Sequence, residues 1–282
     1  MPSNTTPLGY IELDNGTKAI TAMNDIFLNY MFNDPANWET LRETVNIIVE
    51  AYRHTNPDTA IAPINGKIIV ETQYKYLLDV KNVTRDQDIK MTADDELVFI
   101  EFQNRSKTIP PIEVRAVEYF ALGIGHSKGK VANQLWLMAE DLESVIHGKS
   151  FARYILKDEA TGEPHPGNSG ILYVSLSKLA KIKSPAGELA AFLLGMAVEP
   201  KDVKVKTIAN CFTTSFDLFR MDKEAVKMLS LTDRARNEGL VEGMEKGALN
   251  LLTEFAELIK QGFTADEAYR ELENRHGSPQ NA

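Results

Sequence analysis

The sequence predicts an α/β protein in which helices flank a mixed sheet, and three patterns carry this prediction. Segments with helical spacing and segments with strand-like spacing alternate along the chain from about residue 21. The apolar run 97–100 is typical of a strand that is covered on both faces. From Ala186 onward helical spacing dominates, which predicts a helical C-terminal appendage.

Length and composition suit a globular protein that works away from membranes. The 282 residues exceed the usual size of one domain and fit an enlarged α/β domain with an appendage. No stretch is apolar enough to cross a bilayer, and the first residues lack the features of a signal peptide. Because Cys211 is the only cysteine, no intramolecular disulfide can form, and we expect a cytoplasmic protein without a membrane partner.

The formal net charge of -9 weighs against a protein that coats nucleic acid by bulk electrostatics. It does not exclude an enzyme that has a local basic groove. Acidic metal ligands would themselves add to the negative count.

The first elements are an irregular lead-in and two helices. Proline and glycine punctuate residues 1–20. Apolar residues then keep near-helical spacing over 26–31 and again over 38–49, and Pro35 suits the start of the second helix. The dipeptide Asn65-Gly66 predicts a tight turn between two short strands.

A strand-rich stretch follows, with long strands at 74–81 and 97–103. The polar segment 84–95 between them predicts a long hairpin loop. A helix is expected over 112–123, and its expected buried residues are Val114, Val117, Tyr119, Phe120 and Leu122.

Further strands are predicted at 134–138 and as an antiparallel pair at 151–156 and 171–176. Near the C-terminus, glycine recurs every fourth residue from Gly239 to Gly247, which suits either a helix edge that another helix approaches or a solvated linker. Thr264 and Glu267 have the spacing of a capping box for a last helix.

Polar residues in and beside the two long strands suggest a metal site. Glu101 and Gln103 share one face of their strand, and a buried unpaired carboxylate is costly. A hard cation such as Mg²⁺ or Mn²⁺, shared with Asp79 and assisted by the carbonyl of Phe102, would be a partner for these groups. The same residues would also suit exposed polar positions where strands reach the surface.

Arg115 has two readings in the sequence. It could face a phosphate if its helix packs beside Glu101, or it could pair on the helix surface with Glu113 or Glu118. Other catalytic signatures are missing from the sequence: the histidines are scattered, and no nucleophile elbow, phosphate loop or dinucleotide fingerprint occurs.

The order of these motifs resembles the PD-(D/E)XK nuclease superfamily, and within it the Rpn-like family of recombination-promoting nucleases and transposases. The matching segments are Asn24-Asp25-Ile26-Phe27, Leu78-Asp79-Val80, Ile100-Glu101-Phe102-Gln103, Arg115-Ala116-Val117-Glu118-Tyr119, the hairpin 151–178 and the Glu-Gly repeat from Glu238 to Gly247. In this chain Gln103 stands where the superfamily usually has lysine, and the segment between Asp79 and Glu101 is longer than the family's tight hairpin.

The resemblance implies a restriction-endonuclease-like core at 21–215 and a helical tail at 216–282. It implies a DNA endonuclease that uses Mg²⁺ or Mn²⁺, linked to recombination or transposition. Asp79, Glu101 and Gln103 would be catalytic, with Asp79, Glu101 and Phe102 as metal ligands. Arg115 and Tyr119 would contact the substrate, and Asp25 would be an additional acid.

Two other functions fit the same sequence. One is a catalytically silent nuclease-fold protein that binds DNA or a protein partner. The other is an interaction protein that forms homo-oligomers through its C-terminal helices.

Overall fold

Six strands form one mixed sheet in the computed structural model. The structure describes residues 10–11, 20–78, 83–94, 96–104, 111–165, 169–196 and 199–227 and a few positions between 254 and 272, with backbone only at 10–11, 73–78 and 83–87. Two compact units are present, residues 1–225 and 226–282, and the sheet belongs to the first.

The elements of the first unit follow in chain order. The strands are β1 (Tyr10–Ile11), β2 (Ile20–Thr21), β3 (Ile69–Leu78), β4 (Val83–Thr92), β5 (Glu96–Gln103), β6 (Val131–Met138), β7 (Phe151–Ile155) and β8 (Gly170–Ser175). The helices are α1 (Asp25–Phe32), α2 (Trp38–Thr55), α3 (Ile112–His126), α4 (Glu143–Ile146), α5 (Leu176–Leu179), α6 (Pro185–Leu193) and α7 (Val203–Met221), with a 3₁₀ turn at Pro35–Asn37.

The strand order in the sheet is β3-β4-β5-β6-β8-β7. Strands β3, β4 and β5 are antiparallel neighbours, β5, β6 and β8 run parallel, and β7 returns antiparallel beside β8. The parallel strands end in register, with Gln103 beside Met138 and Met138 beside Ser175. This common edge is where ligands usually bind in α/β proteins.

Helices cover both faces of the sheet. Successive side chains of β6 point to opposite faces, and each face meets a different helix. Trp136 and Met138 pack with α3. Leu135 lies on the other face, where Val45 and Val49 of α2 line the same small cavity. Helices α6 and α7 pack against α2.

An aromatic cluster joins α1 to α7. The ring of Phe27 lies 4.0 Å from that of Phe216 and 5.7 Å from that of Phe219, and all three side chains are buried. Such ring contacts stabilise the fold by more than their buried area alone accounts for. They fix the position of α1 and therefore of Asp25 at its first turn.

The α/β class is confirmed, as are the strand at 97–103, the antiparallel pair of β7 and β8 and the helix that starts at Ile112. The predicted loop at 84–95 was wrong, because most of this segment forms β4. Its apolar residues, Ile89 and Met91, are few but fully buried, and polar residues occupy the alternate positions. Polarity alone therefore concealed a half-buried strand.

The predicted strand pair around Asn65-Gly66 was also wrong. Gly66 has a φ of 78° and forms a bend before β3 begins at Ile69. The backbone here is hydrogen-bonded to a side chain and not to a neighbouring strand. The side chain of Asn46 in α2 accepts a hydrogen bond from the Ile64 N–H at 2.6 Å and donates one to the Ile64 carbonyl at 2.9 Å. These two bonds satisfy a buried backbone segment.

Two residues expected to be buried in α3 are exposed. Val114 and Val117 have relative exposures of 56% and 62%, whereas Ile112, Ala116, Tyr119 and Phe120 are buried. The expected burial of Tyr119 and Phe120 is therefore confirmed, and that of Val114 and Val117 was wrong, because apolar residues occupy both sides of the helix.

Helix α7 is continuous across residues 215 and 216, where the appendage was predicted to begin, and the second unit starts at Val226. In that unit the predicted capping box is confirmed by hydrogen bonds in both directions between Thr264 and Glu267. The glycine repeat at 239–247, and with it the predicted oligomer contact, lies outside the described residues. None of the helices in the described part of the chain is long and apolar enough to span a membrane.

We expect Asn46→Ala to lower the free energy of unfolding by about 2 kcal/mol, because it leaves the buried N–H and carbonyl of Ile64 without their hydrogen-bond partner. Urea denaturation measures the change. The control Asn65→Ala removes an exposed local bond to Pro63 and should cost less than about 0.5 kcal/mol. Equal losses in the two variants would contradict a bridging role for Asn46.

Candidate functional site

The site lies where β4 and β5 stop pairing through their backbones. Their ladder runs from the pair Thr92–Leu97 to the pair Ile89–Ile100. At the next position carboxylates take over: the Phe102 N–H donates to Asp88 Oδ2 at 2.8 Å, and the Asp88 N–H donates to Glu101 Oε1 at 3.3 Å. Two acids from neighbouring strands are thereby held side by side.

The burial of Glu101 next to the half-buried Asp88 makes this pair of acids electrostatically unfavourable. Glu101 is only 3% exposed, and desolvation raises its pKa well above the usual value, with the charge of Asp88 as the next cause. Desolvation likewise raises the pKa of Asp88 to about 6, against the hydrogen bond from Phe102 that lowers it. Such a pair is stabilised by a proton or by a bound cation.

Arg115 supplies positive charge from α3. Its Nη2 lies 3.8 Å from Glu101 Oε2, and its Nη1 donates a long hydrogen bond of 3.5 Å to Gln103 Oε1. It lowers the pKa of both acids by less than desolvation raises them. Of the two readings of the sequence, the structure has Arg115 facing Glu101, while Glu113 accepts a hydrogen bond from the Ser144 hydroxyl at 2.6 Å.

Two aromatic rings hold the Arg115 guanidinium. Its central carbon lies 5.6 Å from the ring centroid of Tyr119 and 5.6 Å from that of Trp136. Both rings are buried, so these cation–π contacts are desolvated and comparatively strong. Burial also raises the pKa of Tyr119, with Glu101 as the next cause, so its hydroxyl stays protonated at neutral pH.

Asp25 lies in the same neighbourhood. The Asn104 side chain, directly after β5, donates to the Met23 carbonyl at 2.9 Å and ties the start of α1 to the sheet edge. The charge of Asp25 contributes to the raised pKa of Asp88. Its Oδ1 accepts a hydrogen bond from the N–H of Ile26.

The structure thus brings together most of the predicted site residues that it describes. Glu101, Gln103, Arg115 and Tyr119 are mutual neighbours, and Phe102 adds its N–H, while the ligand role of its carbonyl stays a prediction. Asp79 lies outside the described residues, and its role stays a prediction as well.

Sequence reasoning missed Asp88, because it fell within the segment predicted to be a loop. The alternation of Asp88, Ile89, Lys90 and Met91 was the available signal. A strand there, folded back by a short turn before Glu96, places Asp88 opposite Glu101. The last described residue of β3, Leu78, pairs with Val83, five residues along β4 from Asp88.

The donor atoms suit a hard divalent cation. Asp88 and Glu101 offer carboxylate oxygens, and Gln103 adds an amide oxygen; oxygen donors of this kind are preferred by Mg²⁺. The observation that favours a cation here is that the buried Glu101 and the half-buried Asp88 are held side by side by hydrogen bonds from the backbone. Among the described residues, no group of three or more His, Cys, Asp or Glu side chains is close enough to hold a metal ion. Two carboxylates would leave several coordination positions to water and substrate, which is usual for Mg²⁺.

We expect Asp88→Asn to stabilise the fold at alkaline pH. The folded protein holds this proton more tightly than the unfolded chain does, so the contribution of Asp88 is favourable below 3.8 and is lost as pH rises through about 6. The variant should therefore gain about 2 kcal/mol over the wild type at pH 8 and about half of that at pH 5.

Urea denaturation at both pH values measures this difference. Asp217→Asn on the exposed side of α7 is the matched control and should show no such dependence. An Asp88→Asn variant destabilised equally at both pH values would contradict the burial of an unfavourable charge.

Comparisons with known proteins give no match of any kind. No protein-family model matches the chain. No curated protein matches its sequence, and no solved structure matches its fold.

Proposed function

We propose that the protein is a metal-dependent DNA endonuclease built on a restriction-endonuclease-like core. The observation that carries this proposal is a pair of carboxylates, the buried Glu101 and the half-buried Asp88, held across two strands at the carboxyl edge of a mixed sheet. The motif order in the sequence supports the same reading and suggests the recombination or transposition type. In this proposal Asp88 takes the place that the sequence assigned to Asp79.

Asp88 and Glu101 would hold the cation, Mg²⁺ or Mn²⁺. When bound, the cation would supply Lewis acidity to the scissile phosphate and lower the pKa of a bound water. The chain's own contribution is to keep both carboxylates fixed, with Glu101 buried, so that little reorganisation is needed during reaction. Asp25, whose charge raises the pKa of Asp88, would act as an additional acid beside the pair without being a ligand of the cation.

Gln103 and Arg115 would act on the water and on the phosphate. Gln103 is uncharged, so it can orient the attacking water by hydrogen bonding but cannot take its proton. The Arg115 guanidinium can pair with phosphate oxygens through two donors, and Tyr119 and Trp136 hold it in place. Tyr119 would act on the substrate through Arg115.

The backbone of β3 and β4 supports DNA as the substrate. These strands stay paired from Ile69–Thr92 to Leu78–Val83, whereas β4 pairs with β5 only from Ile89 to Thr92. A two-stranded ribbon therefore continues for six residues, or about 20 Å at roughly 3.3 Å per residue, beyond the last of these pairs. A ribbon of this kind fits the major groove of a duplex.

Purified protein should nick plasmid DNA in the presence of Mg²⁺ or Mn²⁺, and Asp88→Asn and Glu101→Gln should each lower the rate at least about 100-fold. Both variants keep the size of the side chain and remove its charge. Agarose-gel nicking assays measure the rate, and Asp217→Asn is the matched control.

The same assay with Asp79→Ala separates the two candidate acids. Nicking lost in Asp79→Ala and kept in Asp88→Asn would return the ligand role to Asp79. Nicking that survives Asp88→Asn, Glu101→Gln and Asp79→Ala would refute the endonuclease. If calorimetry also finds no Mg²⁺ or Mn²⁺ binding at millimolar concentration, the result favours a catalytically silent DNA- or protein-binding module.

Arg115 has a second, separable effect. We expect Arg115→Lys to lower kcat/KM for nicking about 10-fold and Arg115→Gln about 100-fold, because lysine keeps the charge but loses the planar pair of donors. Calorimetry should find that Arg115→Gln binds Mg²⁺ at least as tightly as the wild type, since a competing positive charge is gone. Arg220→Gln, on the exposed side of α7, is the control. Weaker metal binding in Arg115→Gln would show that Arg115 supports the metal site instead.

A further inference from the structure

A groove runs along the outer edge of β7, the last strand of the sheet. No other described strand pairs with this edge. A cavity of about 690 Å³ is lined by four consecutive residues of the strand, Phe151 to Tyr154, together with the C-terminal end of α2 and residues of the turn after α4. Because consecutive strand residues point to opposite faces, the cavity follows the edge itself.

A second cavity of about 490 Å³ continues the groove toward the end of β7. The two cavities share Tyr52, Thr55, Asn56 and Arg153, so they are two parts of one surface on either side of Arg153. We call this surface the β7 groove.

The β7 groove is basic although the whole chain carries a net charge of -9. Lys149, Arg153 and Lys157 line it, and His147 lies at one end. Asp58 is the one carboxylate among the described residues that line it. A cluster of positive charge on an acidic protein indicates an anionic ligand. The net negative charge of the molecule repels such a ligand, and the cluster attracts it locally.

Arg153 lies at the centre of the groove and is partly buried. Its Nη1 donates to the Thr59 hydroxyl at 3.4 Å, and burial lowers the pKa of its guanidinium. A guanidinium that has already lost part of its hydration loses less when it pairs with a phosphate.

An exposed ring accompanies these cations. Tyr154 is 43% exposed, yet its hydroxyl donates to the Val145 carbonyl at 2.8 Å and its ring meets the edge of Tyr173 at 5.8 Å. The ring is therefore fixed and still accessible. Aromatic rings beside a basic track are the usual means of holding unpaired bases.

The β7 groove begins at the same edge of the sheet as the candidate site. The Ser175 N–H donates to the Ser150 carbonyl at 2.9 Å, and Ser175 is in register with Met138 and, through it, with Gln103. Three strand spacings separate Gln103 from Ser150, which is about 14 Å. That distance corresponds to at most about four nucleotides, because the phosphates of one strand are about 3.4 Å apart along a duplex and farther apart in an extended single strand.

We propose that the β7 groove binds a single-stranded segment of DNA a few nucleotides from the point of cleavage. The assignment of DNA rests on the proposed endonuclease function. Phosphates would meet Lys149, Arg153 and Lys157, and a base would stack on Tyr154. The open strand edge would also suit an extended peptide, but the basic lining and the exposed ring favour nucleic acid.

The test compares two pairs of charge reversals on exposed lysines in the full-length protein. Lys149→Glu/Lys157→Glu changes the groove, and Lys201→Glu/Lys206→Glu changes the same charge near and within α7. Fluorescence anisotropy with a 20-nucleotide single strand, in buffer without divalent cations, measures affinity from 50 to 200 mM salt.

We expect the groove variant to bind the strand roughly tenfold more weakly, and the slope of log affinity against log salt to fall by about 1.4, since each phosphate contact contributes about 0.7. The control should change by less than twofold. A 5-bromouracil strand cross-linked to the wild-type protein should label peptides that contain residues 147–157.

The outcomes separate this inference from the proposed function. Equal losses of affinity in both variants, or cross-links that avoid residues 147–157, would refute DNA binding by the β7 groove without affecting the proposed endonuclease activity. Groove-dependent binding by a protein that never nicks supports the groove while the endonuclease fails. Wild-type protein that binds no single strand at any salt concentration, or whose β7 groove captures a peptide in preference to DNA, overturns the groove.

Discussion

The close approach of two carboxylates, the buried Glu101 and the half-buried Asp88, is the constraint on which the candidate site depends. Asp88 and Glu101 replace backbone pairing between β4 and β5, so their oxygens occupy a place where peptide groups would otherwise meet. A fold selected for stability alone would exchange such a pair for apolar residues. The presence of the two carboxylates is explained if a cation binds to them. Arg115, 3.8 Å from Glu101, neutralises only part of their negative charge.

The surrounding fold holds this arrangement in place from three sides. The apolar strand β5 carries Glu101 to a position where it is only 3% exposed. Helix α3 brings Arg115 from one face, and the rings of Tyr119 and Trp136 restrict its movement. Helix α1 brings Asp25 from another side, fixed by its aromatic contacts with α7. Each side chain at the site is thus positioned by an element that also contributes to the core.

The sequence was sufficient for the parts of the fold that rest on local periodicity. Strand β5, helix α3 and the pair of β7 and β8 follow from apolar spacing, and Glu101, Gln103 and Arg115 were identified on them before their contacts were known. Strand β4 could not be recognised in this way, because among the β4 side chains that the structure describes only Ile89 and Met91 are buried, and the strand is held by its neighbours β3 and β5. The loss of β4 hid Asp88, since which acid faces Glu101 is set by strand register, a non-local property.

The continuity of α7 has a consequence for how the molecule is made. Phe216 and Phe219 pack on Phe27, so the aromatic surface that anchors α1 arises almost two hundred residues after it in the chain. A nascent polypeptide emerging from the ribosome must complete nearly the whole first unit before Asp25 acquires its lasting position. The candidate site is therefore completed late in biosynthesis. A polypeptide that is truncated within α7 would contain the strands of the site but would lack the aromatic contacts that hold α1 in position.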